Sequence, residues 1–302
     1  MKTMTYEVDG RIARITLDRP QRGNGITLEM PVELSACVEK ADLDPAVHVI
    51  ALSGNGKGFC GGYDLVDSAE KMGQAQFGNG CAQPGSALDP HVIAQNHDAN
   101  LVWDPMRDYQ MMSRNLRGFM SLFNANKPVV CKVHGFCVAG GTDMALCSDL
   151  LVIAEDAKIG YPPARVWGSP TTALWAFRIG IEKAKRLLFT GDCLNGKEAV
   201  DWGLATECAP PDRLDERFEN LLGRIAQMPI NQLVMMKLLL NQTSHAAGLQ
   251  SSQILGTVFD GIARHTQEGY TFQQRAADVG FKQAVQERDA PFGDAGSSTF
   301  KG

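Results

Sequence analysis

Two apolar runs, each ending in a cluster of glycines and each followed by a helix-forming stretch, constrain this chain more than any other feature. Residues 47–52 run into GKGFCGGYDL at 56–65, and residues 127–152 read KPVVCKVHGFCVAGGTDMALCSDLLV. A short apolar run bounded by turn residues reads as a buried strand, and strands alternating with helices give an α/β core. A glycine after a strand serves a tight turn, or it lets a ligand approach the backbone. One such loop does not decide between these readings. Two of them favour the second, because each can offer one free backbone N–H to the same oxyanion.

The rest of the first half fits that core. Residues 6–8 and 11–18 read as a hairpin turned by Asp9-Gly10, 28–42 as a helix, and 47–53, 129–133 and 150–154 as strands. From Thr171 the pattern becomes helical, over 174–179, 182–189, 197–202, 212–228, 231–241, 249–264 and 271–288. The reading is therefore a core over 1–205 and a helical module over 206–302, with 66–124 as a divergent, lid-like insertion. Within it, 72–89 is rich in Gly, Gln and small residues and reads as an irregular excursion. Residues 100–123 read as a helix whose Trp103, Met106 and Tyr109 either pack in the core or wall an apolar pocket together with Trp167. The run Met235, Met236, Leu238, Leu239 and Leu240 is core or a subunit interface.

Composition excludes several classes. The net charge of −5 and the lack of a basic cluster interleaved with aromatics argue against nucleic-acid binding. No apolar run reaches the roughly 18 residues of a membrane span. The opening MKTMTYEVDG has no apolar signal core, and the eight cysteines form no C-x-x-C pair; both are read as a cytoplasmic, reduced protein. The six histidines show no ligand spacing, so no metal is expected.

Together these stretches resemble the crotonase (enoyl-CoA hydratase/isomerase) superfamily. LDRPQRGNGIT is similar to its N-terminal element, with Gly25 in place of the usual Ala. ALSGNGKGFCGGYDL and KPVVCKVHGFCVAGGTDMALCSDL are similar to its two oxyanion loops, and LLFTGDCLNGKEAVDWGLATE and QERDAPFGD to later elements. The resemblance is weakest over 66–124. It implies a spiral of ββα units followed by helices that assemble trimers, often paired into hexamers. It also implies an acyl-CoA thioester as ligand, with coenzyme A entering as part of the substrate and no separate cofactor. The oxyanion donors would be the backbone N–H groups of Tyr63 and Gly140, and Gly61 would meet coenzyme A; Arg22 and Lys57 stand where the family often places cations against its phosphates, and each reads almost equally well as a solvated surface charge.

The chain departs from the family in its acid–base residues. Asp143 stands where the first catalytic glutamate is expected, one methylene shorter; it is read either as a catalytic acid–base group or as an aspartate favoured early in a helix. The second glutamate would follow a proline in GYPPARVWGSP, where Ala164 stands instead. Asp64, Asp67, Asp104 and Asp108 are the other carboxylates considered; Asp64 reads foremost as a structural hydrogen-bonding group, and His134 also as structural. The readings carried forward are an enoyl-CoA hydratase-like lyase, another enolate reaction on the same scaffold (isomerisation, hydrolysis or decarboxylation), and a non-catalytic acyl-CoA-binding homologue. Val138, Ala139 and Gly140 supply no nucleophile, which disfavours a serine peptidase.

Overall fold

The computed structural model describes residues 1–64 and 83–293. Met4–Asp9 (β1) and Ile12–Leu17 (β2) form the expected antiparallel hairpin, with Asp9 opposite Ile12. Met30–Leu43 (α1) leads to Val49–Gly54 (β3), which pairs in parallel with β2. Pro90–Asn96 (α2) and Pro105–Asn124 (α3) follow, then Val129–Val133 (β4) and the short strand Phe136–Val138 (β5). Gly140–Ala145 (α4), Leu150–Ala154 (β6) and Lys158–Gly160 (β7) complete the second glycine unit. After Trp175–Ile179 (α5) and Ile181–Thr190 (α6) come Cys193–Leu194 (β8), Gly196–Asp201 (α7) and Glu207–Ala209 (β9).

Six strands make the main sheet in the order β1-β2-β3-β4-β6-β9, parallel from β2 onward, and β5-β7-β8 make a second, smaller sheet. The burial patterns match those positions. Strand β2 alternates, with Ala13, Ile15 and Leu17 fully buried, whereas β3 and β4 bury nearly every residue, as parallel strands covered on both faces must. Helices α1 and α3 pack on one another, and Asp104 caps α3 by accepting the Met106 N–H at 3.0 Å.

Leu214–Ala226 (α8), Ile230–Ala246 (α9), Leu249–Arg264 (α10), Gln267–Val279 (α11) and Phe281–Asp289 (α12) close the chain. The single helix expected over 271–288 is two helices. Gly280 divides them at φ +85° and ψ 150°, a conformation open to glycine and costly to other residues. Helix α2 was not legible because its seven residues offer too short a period; Asp89 and Pro90 are its only start signals.

Helices α9 and α10 are inverted. Helix α10 buries Gln253, Thr257 and Asp260 while Ile254, Leu255 and Phe259 stand about half exposed. Helix α9 buries Lys237, whose ammonium donates to the carbonyls of Leu122 and Lys127 and pairs with Asp149 at 2.8 Å, while Leu238, Leu239 and Leu240 are exposed.

Candidate active site

The two glycine loops are stitched together. Cys60 donates its N–H to Phe136 and accepts that of Val138, and Cys60 and Cys137 lie opposite one another as in a parallel ladder. The approach explains the glycines: a Cβ on Gly141 would fall 2.5 Å from the Cys60 carbonyl oxygen, and one on Gly140 would fall 2.8 Å from the Tyr63 ring. Tyr63 pairs on its other side with Ile26, where Ile26 donates to the Gly62 carbonyl and Asp64 donates to that of Ile26. Among the described residues, neither the Tyr63 nor the Gly140 backbone N–H has a hydrogen-bond partner. The position a Gly62 Cβ would take lies 3.4 Å from the Gly140 nitrogen, so the two loops bring these amides into one neighbourhood. Ala139, just before Gly140, holds φ +54° and ψ −131°, a region that costs a non-glycine residue about 1–3 kcal/mol.

Asp143 projects from α4 into a closed environment and is 1% exposed. Its Oδ1 accepts the Thr172 hydroxyl at 2.8 Å and the Thr172 N–H at 3.2 Å, whereas Oδ2 is buried without a partner among the described residues. Burial disfavours its charged form and pushes its pKa up to about 7, against the Thr172 hydrogen bonds; the charge of Asp260 adds to the rise. Helix α4 is itself held at its end by Arg178, whose guanidinium donates to the carbonyls of Leu146, Ser148 and Asp149. The hydroxyls of Tyr63 and Tyr161 are held well above the usual phenol range, first by burial and then by the charges of Asp143 and Asp260.

The inward face of α10 forms the opposite wall. Gln253 donates to the Thr172 carbonyl at 3.2 Å, and Gly256 lies where a Cβ would meet the Pro170 carbonyl at 2.9 Å. Asp260 accepts the Ser169 N–H at 3.3 Å. Arg264 reaches both Asp260 and Asp108 at 3.2 Å. Asp108 also accepts from Trp103 Nε1 at 2.7 Å and from Asn96 at 3.0 Å. His97, Asp108 and His265 place potential ligand atoms within 4.8 Å of one another. Their donors are already committed, since both His265 nitrogens face carbonyl oxygens and Arg264 supplies the positive charge beside Asp108. This is a hydrogen-bonded ion network.

The other residues singled out from the sequence fall in several places. Gly61 is exposed and donates to Gly23, Lys57 is exposed on the same loop, and Arg22 lies 3.4 Å from Asp64. Asp64 also pairs with Arg19 at 2.9 Å, a structural role. Trp103 stacks on His265 at 4.4 Å, and Trp167 meets Phe272 edge-on at 5.1 Å. Tyr109 is half-buried on α3 and Met106 is exposed there. Asp104 serves as a helix cap. His134 reaches the Gly56 carbonyl at 2.9 Å. Asp67 lies outside the described residues. Ala164 is exposed in a short 3-10 turn, and Arg165 beside it is buried in ion pairs with Asp192 and Asp289.

Sequence reasoning missed Asp260, Arg264 and the tyrosine at 161. The available signal was the stripe Gln253, Gly256, Thr257, Asp260, Gly261 and Arg264 at helical spacing, which reads as a solvated face until the fold is known.

The sequence model described as Enoyl-CoA hydratase/isomerase matches residues 7–85 and 100–283. The "Putative enoyl-CoA hydratase EchA13" of Mycobacterium tuberculosis is 32% identical over 252 residues, 81% of this chain and 74% of that protein. The 1,2-epoxyphenylacetyl-CoA isomerase of Escherichia coli is 26% identical over 250 residues, 80% of this chain and 82% of that protein. A crystal structure of an enoyl-CoA hydratase from Mycobacterium smegmatis superposes with a TM-score of 0.91 at 53% identity, covering 99% of this chain and 98% of that one.

Proposed function

The chain belongs to the enoyl-CoA hydratase/isomerase family, and from that premise we propose that it is a hydratase-like lyase acting on an acyl-CoA thioester. The observation that carries this reading is the pair of unpartnered N–H groups at Tyr63 and Gly140, brought together over loops that no larger residue would allow. Placed at a thioester oxygen, two such donors stabilise the enolate as its charge grows, which lowers the barrier rather than only tightening binding. Asp143 supplies proton chemistry nearby. A carboxyl whose pKa is pushed up to about 7 is populated as both acid and base near neutral pH, where proton transfer is most effective.

Coenzyme A would run over Gly61, with Arg22 and Lys57 on the same rim, and the acyl chain would face the apolar side chains toward Trp103, Tyr109 and Trp167. The exposed apolar faces of α9 and α10 support assembly as a homotrimer or a hexamer of two trimers. No helix among the described residues is long and apolar enough to cross a membrane. Among the described residues seven cysteines are free, six of them buried, which supports a reducing, cytoplasmic setting.

A second reading, isomerisation or another enolate reaction, draws support from Ala164, which leaves no carboxylate on its turn. Incubation with crotonyl-CoA separates the readings. Loss of the enoyl absorbance with formation of the 3-hydroxy thioester is the expected result. Binding of butyryl-CoA without conversion of crotonyl-CoA would leave the other enolate reactions or a binding protein, and failure to bind any acyl-CoA would overturn the reading.

A further inference from the structure

Helix α10 buries a carboxylate, Asp260, held by the Ser169 N–H and by Arg264. Asp260 is nine-tenths buried, two turns along the helix from Gln253, on the face turned toward Asp143. A buried carboxylate costs free energy unless its charge is compensated, and one beside a second buried carboxylate costs more. The segment between them fixes their relation. Ser169 donates its N–H to Asp260, and Thr172, three residues on, donates N–H and hydroxyl to Asp143. Three residues span at most about 10 Å of backbone, with each carboxylate one hydrogen bond beyond its end, so both border the one segment, and the charge of Asp260 is felt at Asp143. The Tyr161 hydroxyl and Asp260 Oδ1 flank the same point beside Gly168, at 3.5 and 3.8 Å from where a Cβ would stand.

The two carboxylates differ in charge environment. Arg264 lies 3.2 Å from Asp260, whereas Asp143 has only neutral donors. Burial raises the pKa of Asp260; the Arg264 guanidinium and the Ser169 N–H oppose that rise, and Asp108, across Arg264, adds to it. Of the two buried carboxyls only Asp260 has a cation beside it, which suits Asp260 to the role of base and Asp143 to that of acid in one reaction.

We propose that Asp260 is the second proton-transferring carboxylate of this site, acting as base to the acid of Asp143. This rests on the acyl-CoA reading above. In the hydration direction, Asp260 takes a proton from water as the water oxygen bonds to Cβ. The π electrons of the double bond move onto the thioester, whose oxygen carries the enolate charge between the Tyr63 and Gly140 N–H groups. The enolate collapses as Cα takes the proton of the Asp143 carboxylic acid. Water has then been added as OH and H, Asp260 holds one proton and Asp143 has lost one, and transfer from the first to the second restores the pair.

The test compares wild type, Asp260→Asn, Asp143→Asn and the double variant, using crotonyl-CoA for turnover and butyryl-CoA for binding. Asparagine keeps an acceptor for the Ser169 N–H and is close to isosteric. The expected result is a loss of roughly 10²-fold or more in kcat for Asp260→Asn with butyryl-CoA affinity nearly unchanged, beside a lower thermal midpoint because the buried pair with Arg264 is broken. Groups acting as a unit are not additive, so the double variant should lose little beyond the worse single one. If Asp260→Asn fails to fold, Asp260→Glu serves: it retains the charge and should fall in kcat while holding the butyryl-CoA affinity. A kcat for Asp260→Asn equal to wild type, with Asp143→Asn impaired, would remove Asp260 from the chemistry and leave the acyl-CoA reading intact. If wild type binds butyryl-CoA without hydrating crotonyl-CoA, the assignment of Asp260 as the base that activates water is overturned while the acyl-CoA reading stands. Absence of both binding and turnover in wild type would overturn this proposal together with the reading beneath it.

Discussion

Thr172 gives both its hydroxyl and its backbone N–H to one oxygen of Asp143, at 2.8 and 3.2 Å, and leaves the other oxygen buried and unpartnered. The carboxyl is thereby oriented without being neutralised by a cation. Because burial is the dominant cause of its pKa near 7, the folded protein binds a proton that the unfolded chain releases near 3.8. A raised folded pKa makes the associated stability complete below about pH 4 and lost as the pH rises through about 7. The loss is on the order of a few kcal/mol. Urea titrations should show a wild-type stability that falls between those limits and an Asp143→Asn profile that is flatter there. Tyr63, Tyr161, Asp260 and Cys147 face the same space, so the variant is the control that isolates Asp143. Equal slopes would show that Asp143 ionises normally. In turnover, Asp143→Asn should reduce kcat by roughly 10²-fold or more.

The loop contact makes a separate demand on ligand binding. Gly140→Ala inserts a methyl 2.8 Å from the Tyr63 ring and 2.9 Å from Ile26 Cδ1, so the ring must shift and the two amides must separate. Butyryl-CoA affinity should drop at least about tenfold, the equivalent of losing one good hydrogen bond. Tyr63→Phe keeps the backbone and ring and should bind almost as wild type. Calorimetry giving the reverse order would mean that the phenol, and not the backbone, holds the ligand.

Arg178 anchors the far end of α4. Its guanidinium serves three carbonyls, of Leu146, Ser148 and Asp149, in a largely buried position. Replacing it with methionine fills much of the volume and leaves those acceptors unsatisfied, at a cost of about 1–3 kcal/mol each when no water enters. Arg178→Met should therefore lower the unfolding midpoint clearly, and lower kcat through displacement of Asp143. An unchanged denaturation curve would show that water replaces the guanidinium.

How far the sequence reaches is visible in three sites. The Tyr63 and Gly140 loops were legible because a glycine forced by backbone contact leaves its mark in sequence, and because both loops follow apolar runs that form strands β3 and β4. Asp143 was legible only through the family resemblance, which expects an acid–base residue at its position. Asp260 was not, because an aspartate on an amphipathic helix is assigned to solvent, and only the fold shows that α10 turns its polar side inward. Gly280 was passed over for a like reason: a single glycine within a helical pattern is tolerated as readily as it breaks one.

Ala164 gives a discriminating substitution. It is exposed, and its turn is pinned by the buried Arg165 pairs with Asp192 and Asp289, so a longer side chain there faces solvent. Ala164→Glu should leave crotonyl-CoA turnover unchanged. A large gain would show that the turn swings inward with substrate bound and that the empty position limits the rate.

The outward faces of α9 and α10 lead to the last expectation. Leu238, Leu239 and Leu240 on α9 and Ile254, Leu255, Phe259 and Ile262 on α10 are all between 41% and 68% exposed. Burying one such side chain contributes roughly 1.5–3 kcal/mol, so leaving them in water is unfavourable unless another subunit covers them. The polar sides of the same helices are already committed, through Lys237 to Asp149 and through Asp260 to Ser169 and Arg264, so the helices cannot roll their apolar sides inward. A ring of three copies would cover such a face with each subunit meeting the next. Leu239→Glu combined with Phe259→Glu places two charges on that face and should convert the assembly to monomer, read by light scattering at micromolar concentration. Wild type that already scatters as a monomer would overturn the assembly. Because Asp260 lies on α10 behind the exposed Phe259, the monomeric variant should also lose turnover if packing between subunits fixes that helix.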